Sequence, residues 1–160
     1  MRITRWGEYG ILCCLYLAQR FPEAGAVGAA EIASTQNIPI KYAQQILHRL
    51  RRGGVIKSVR GPHGGFLLSR EPMNINLKDV LYAAEGDTFE IICENDPVIH
   101  PNCACSEQCA LHLVWTDLKS AVNQVLEGRT LATMIDQART TGSLVQVSAG
   151  TNGAGQSQPG

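Results

Sequence analysis

IPIKYAQQILHRLRRGGVIKSVRGPHGGFLLSR, residues 38–70, is the stretch whose reading decides the fold. Pro39 suits an early position of a helix that runs to about Arg52. Ala43, Ile46, Leu47 and Leu50 repeat at helical spacing and form its inward stripe. Gly53-Gly54 then stops the helix. Lys41, Gln44, Gln45, His48 and Arg52 lie largely opposite the stripe, and Arg49 is counted with them as a candidate DNA contact. Side chains of these types hydrogen-bond base edges or neutralise phosphates. Val55, Ile56 and Val59 read as a strand, Arg60-Gly61-Pro62-His63-Gly64-Gly65 as a tight turn, and Phe66-Leu67-Leu68 as the returning strand. The hairpin follows the helix directly, with Arg60 and His63 near its tip, where an extended loop can reach a minor groove.

Working towards the N-terminus, Ala29–Gln36 reads as a short helix with Ile32 and Ala33 inward, and Asn37 tolerates a turn. Two helices joined by so few residues have the spacing of a helix-turn-helix. Before them, Thr4 to about Phe21 reads as a helix with Ile11, Leu12, Leu15 and Ala18 on one face, ended by Pro22. Gly7 and Gly10 weaken its first turns and leave room for something to pack close to the backbone. The fold class expected is mainly α with a small β-hairpin wing: a winged helix-turn-helix followed by a long C-terminal dimerisation helix.

Working towards the C-terminus, Leu77–Ala84 reads as a short helix entered through Asn76. A long segment from Gly86 to about Cys105 follows, and a loop of that length is usually functional or held by something. From about Glu107 to Leu126 a long helix carries Leu111, Trp115, Leu118, Val122, Val125 and Leu126 as one broad apolar face. At 1.5 Å per residue it extends roughly 30 Å, too long for one small winged domain to cover. Gly128 breaks it, and Thr130 can cap a short final helix through Ala138. From Thr140 the chain is uncharged and glycine-rich, which predicts a disordered tail. The expected organisation is 1–85 winged helix-turn-helix, 86–106 cysteine-bearing loop, 107–138 dimerisation helix with a short terminal helix, and 139–160 tail.

Charge supports the DNA-facing reading. The 160 residues carry 14 Lys plus Arg against 14 Asp plus Glu, a net charge of zero, which excludes a polycationic tail or an acidic disordered chain as a description of the whole. The charges are segregated, however. Residues 39–70 hold Lys41, Arg49, Arg51, Arg52, Lys57, Arg60 and Arg70 and no acid, whereas residues 71–117 hold nine acids and one base, Lys78. One basic surface can therefore bind a polyanion while the remainder repels it. No run of about 18 apolar residues exists to span a membrane, and MRITRWGEYG lacks an apolar signal region, so a cytoplasmic protein is expected. No Ser-His-Asp or paired-carboxylate arrangement argues for an enzyme.

Of six cysteines, Cys13 and Cys14 sit in the first helix, whereas Cys93, Cys103, Cys105 and Cys109 crowd into 17 residues, with His112 three positions after Cys109. Reduced thiols in such a cluster point to a metal or redox function before disulfides. The spacing suits iron-sulfur thiolates, where His replaces Cys in some centres, and does not form two CxxC knuckles of a zinc finger. Zinc, free thiols and a redox disulfide remain the competing readings of the spacing alone.

Taken together, MRITRWGEYG, IPIKYAQQILHRLRRGGVIKSVRGPHGGF and CALHLVWTDL resemble the Rrf2 family of bacterial winged helix-turn-helix transcription regulators, over about residues 1–138. The likeness is greatest to members that regulate iron-sulfur cluster assembly. The resemblance implies a homodimer formed through the long helix, near-palindromic double-stranded operator DNA as partner, and control by an iron-sulfur cluster sensing redox state, nitric oxide or iron-sulfur status. It maps the cluster ligands onto Cys93, Cys103 and Cys109, with His112 as fourth ligand of a [2Fe-2S] centre. Glu8 stands where some relatives use a carboxylate from the partner subunit, an arrangement that would also suit a [4Fe-4S] centre. The gap from Cys93 to Cys103 is nine residues against the family's usual five, and Cys105 is additional, so Cys105 is an alternative to Cys103. The contrasting expectation is a DNA-binding adaptor whose thiol or metal site is structural and senses nothing.

Overall fold

The computed structural model describes residues 3–23, 25–89 and 109–141. Helix α1 (Arg5–Gln19) begins at Thr4, whose side chain accepts a hydrogen bond from the Trp6 amide at 3.2 Å. Helices α2 (Ala29–Thr35) and α3 (Ile40–Arg52) follow. The turn between them places Asn37 at φ 53°, a left-handed conformation that a short amide side chain tolerates. Ile38 is buried, and its amide closes the turn on the carbonyl of Ala33 at 2.8 Å. Pro39 stands at the N-cap of α3, so its missing N–H leaves no donor stranded.

Strands β1 (Ile56–Val59) and β2 (Gly65–Leu68) pair antiparallel, with Ile56 opposite Leu68 and Val59 opposite Gly65. Gly61 takes φ 121°, and the Gly64 amide donates to the Gly61 carbonyl at 2.9 Å, which tightens the tip. Val27 and Phe66 exchange two backbone hydrogen bonds of 2.8 Å, a third rung that ties the wing to the segment before α2. A Cβ at position 65 would run into the Val27 carbonyl, so only glycine permits this rung. A single bridged residue has no periodicity by which the sequence could reveal this rung.

A 3₁₀ turn (Pro72–Asn74) leads into α4 (Leu77–Glu85). Asn76 and Asp79 form a reciprocal capping box at its start. Helices α5 (Ala110–Glu127) and α6 (Leu131–Thr141) complete the described chain. Cys13, Cys14, Ile32, Ile46, Leu47, Leu50, Ile56, Leu68, Ile75, Val80 and Leu131 fill one core between the helices and the wing. Leu131 and Ile135 put α6 in that core, against α1, although the sequence grouped this helix with the pairing helix.

Gly7 and Gly10 let the backbone of α1 lie directly on the side chains of α4. A Cβ at Gly10 would stand 2.9 Å from the Cβ of Ala84, and one at Gly7 2.7 Å from Leu81 Cδ2. The close approach anticipated from these glycines is thus a helix crossing. It also brings the Glu85 carboxylate to the N-terminus of α1, where it accepts from the Thr4 amide at 2.9 Å.

Helix α5 stands apart. Only Leu126, near its end, is buried. Lys78 Nζ to Glu127 Oε1, 2.6 Å, and Lys119 to Asp87, 3.7 Å, fasten it to the α4 region. Leu111, Val114, Trp115, Leu118 and Val125 remain exposed on it, Val125 at 63%. Their spacing is that of one helical face, and among the described residues the apolar stripe read from the sequence is buried only at Leu126 and half-buried at Val122.

Candidate nucleic-acid interface

Helix α3 divides its residues sharply. Ala43, Ile46, Leu47 and Leu50 are buried, whereas Lys41, Gln44, Gln45, His48 and Arg52 are exposed and line one shallow groove. Among the described residues no acid belongs to that groove, and only side chains of α3 border it. The exposed face thus combines long cations, amide groups and an imidazole on a rigid rod, the donor and acceptor set that reads a major groove. Past the end of α3, Arg60, Pro62 and His63 are exposed at the tip of the hairpin.

Arg49 differs from the others. It is exposed and borders the same groove, yet its guanidinium is also engaged by α4 and α1. Nη1 donates to the Ala84 carbonyl at 2.9 Å, and Cζ lies 4.3 Å from the centroid of the Trp6 ring. Trp6 packs in turn on Tyr42, centroids 5.6 Å apart, and Tyr42 on Tyr9 edge-on at 6.5 Å. Sequence reasoning did not find this cluster. The available signal was that Tyr42 and Arg49 are seven residues apart and share one side of α3, at the margin of the apolar stripe.

Cys109 is the N-cap residue of α5 and is partly accessible, and His112 is one turn further along, also partly accessible. The thiol at the N-terminus of the helix and the imidazole at i+3 lie on the same side of α5. This donor pair therefore fits half of an iron-sulfur site. Cys93, Cys103 and Cys105 lie outside the described residues. Glu8 is exposed on α1, at the edge of an apolar cleft of about 190 Å³ between α1 and α6. Among the described residues no three His, Cys, Asp or Glu side chains gather as a metal site, so Glu8 does not join Cys109 and His112 within one protomer. Cys13 and Cys14 are core residues; burial pushes the Cys13 thiol up to about 12 and that of Cys14 well above its ordinary value.

A helix-turn-helix with a basic, acid-free recognition helix and a hairpin wing defines a winged-helix DNA-binding protein, here with an added long helix whose apolar face is largely exposed among the described residues. Residues 3–137 match the family described as Rrf2, iron-dependent transcriptional regulator, and the chain belongs to that family. It is 32% identical over 136 residues to the transcriptional regulator IscR of Escherichia coli, covering 85% of this chain and 81% of that one. Among solved structures it is similar to CymR, the global cysteine regulator of B. subtilis, at TM-score 0.69 and 28% identity, covering 86% of this chain and 98% of CymR. It is similar also to the IscR of T. potens, at TM-score 0.68 and 30% identity, covering 90% and 93%. The protein is therefore a DNA-binding transcription regulator of bacterial type, acting in the cytoplasm where the chromosome lies, and not an enzyme. No described helix is long and apolar enough to cross a membrane.

Proposed function

We propose that this regulator binds a near-palindromic operator as a homodimer and that an iron-sulfur centre held by Cys93, Cys103, Cys109 and His112 sets its affinity. The observation that carries the DNA-binding half is the groove formed by Lys41, Gln44, Gln45, His48 and Arg52. These side chains enter the major groove, while Arg60 and His63 take the flanking backbone or minor groove. Two protomers pair through the bare face of α5, and the pairing fixes the separation of the two recognition helices near one helical turn of DNA, about 34–36 Å.

The donor pair at Cys109 and His112, at the root of the pairing helix, supports the sensing half. When bound, an iron-sulfur centre supplies one-electron redox chemistry there, in a [2Fe-2S] form with His112 as fourth ligand, or in a [4Fe-4S] form if Glu8 of the partner subunit takes that place. Cys105 substitutes for Cys103 if the register shifts. Cys109 and His112 belong to the helix that sets the dimer geometry, so what they hold biases the placement of both recognition helices. Such a bias requires unequal affinity for the two arrangements.

A second reading, a structural thiol or metal site that leaves DNA affinity alone, is favoured by one observation. Helix α5 is already fastened to α4 by Lys78–Glu127 and Lys119–Asp87, without any cysteine. Anaerobic non-denaturing mass spectrometry, followed by titration of one operator duplex with holo, oxidised and apo protein at fixed salt, separates the two. Retained iron and sulfide with affinities differing about 5–150-fold supports sensing. Equal affinities in all three forms leave the structural reading.

A further inference from the structure

We infer that Arg49 is not a DNA contact but a latch that sets the position of the recognition helix against α1 and the end of α4, an inference that rests on the DNA-binding reading above. Three observations converge on the guanidinium. It donates to the Ala84 carbonyl, one of the last carbonyls of α4, which has no partner within its own helix. A cation at that end also complements the helix dipole. Its flat face lies 4.3 Å from the centroid of Trp6, a residue of α1, and Trp6 is itself packed on Tyr42, seven residues before Arg49 on the same helix. The recognition helix is thus gripped at two points along one side, by Tyr42 and by Arg49, through a single indole.

The same turn of α4 grips α1 as well. Glu85, next to Ala84, accepts from the Thr4 amide. Gly10 brings α1 against Ala84, and Gly53, the C-cap of α3, meets Ala83. Residues 83–85 are therefore a joint at which α1, α3 and α4 meet, and Arg49 is a charged side chain of the recognition helix that reaches it. The chain then leaves α4 at Gly86, with φ 94°, towards the cysteine-bearing segment. A change in the pitch of α4's last turn is transmitted to α3 through a directed hydrogen bond and a stacked ring, and not through loose packing. Lysine cannot replace the arginine in both contacts at once, because it has no planar face to stack while a second nitrogen donates. As a phosphate contact, by contrast, lysine would serve.

The test uses full-length protein and a duplex that the wild type selects from a random-sequence pool. Binding is followed by anisotropy from about 50 to 200 mM salt, a range over which phosphate contacts dominate. Arg49→Ala and Arg49→Lys should each weaken binding by about tenfold, while the slope of log affinity against log salt stays at the wild-type value. Arg52→Ala is the control and should lower the slope by about one unit. In a Trp115→Phe background, Trp6 is the sole tryptophan, and its emission should shift in both Arg49 variants but not in Arg52→Ala. If Arg49→Ala fails to fold, Trp6→Leu removes the stacked partner and should give the same loss at unchanged slope. A slope reduced by about one in Arg49→Ala and restored in Arg49→Lys would identify a phosphate contact and overturn the latch. Unaltered affinity in Arg49→Ala would overturn it equally. Failure of the wild type to select any duplex would instead refute the DNA-binding reading, which keeps the two failures distinct.

Discussion

Gly53 and Gly54 are adjacent and both end α3, yet the structure predicts that replacing them fails for different reasons. Gly53 has an ordinary φ of −77°, so its backbone would accept any residue. A Cβ there would stand 3.0 Å from the Cα of Ala83 and closer still to its Cβ. Carbon atoms prefer roughly 3.5–4.0 Å and the nearest contact would be the one to the Cβ of Ala83, so α3 and α4 must part by about 1–1.5 Å to admit one methyl. Overpacking of this kind costs about 1–3 kcal/mol, and the lost freedom of the unfolded chain returns about 0.4–1 kcal/mol. The net destabilisation of Gly53→Ala is then about 1–2 kcal/mol, a fall in Tm of roughly 2–8 °C for a chain of this size. Gly54 has open space around its Cβ position but φ 73°, where a side chain costs about 1–2 kcal/mol and asparagine is tolerated better. Circular dichroism melts at one fixed protomer concentration should therefore show Gly54→Asn less damaging than Gly54→Ala. Gly53→Asn should be no better than Gly53→Ala. A Gly53→Ala protein melting with the wild type, or rescue at position 53 by asparagine, would refute the steric account of the α3–α4 joint.

Two further outcomes are expected. Replacing Val114 and Leu118, both exposed on the apolar face of α5, with glutamate should convert a dimer to a monomer in sedimentation at micromolar concentration while leaving the helical spectrum intact. Cys13 and Cys14 should resist alkylation at pH 8 in native protein and react only on unfolding, because burial keeps both thiols protonated. The linked sign is that stability falls as pH rises through the ordinary thiol value of 9.0: the unfolded thiols release their protons there and the folded ones retain them up to about 12 for Cys13. Urea titrations between pH 7 and 10 check this.

The sequence alone determined the features written in short-range chemistry. The 3.6-residue repeat of Ala43, Ile46, Leu47 and Leu50 located the recognition helix and its wet face, and both agree with the burial observed. Gly54, Asn37 and Gly61 marked the ends of elements because their positive φ is a backbone conformation that few residues adopt. The acid-free window and the apolar stripe on α5 were likewise legible, since the residues that share one helical face follow from spacing. Tertiary structure decided which of two neighbours on one helix is held by other elements. His48 and Arg49 both border the groove, but the Arg49 guanidinium also meets the Ala84 carbonyl, 35 residues away, and an indole from α1. Thr4 and Glu85, 81 residues apart, come together only because Gly7 and Gly10 let two helices touch. Periodicity along one element assigns a side to each residue, but the partner waiting on that side belongs to another element, and only the packed chain brings it there.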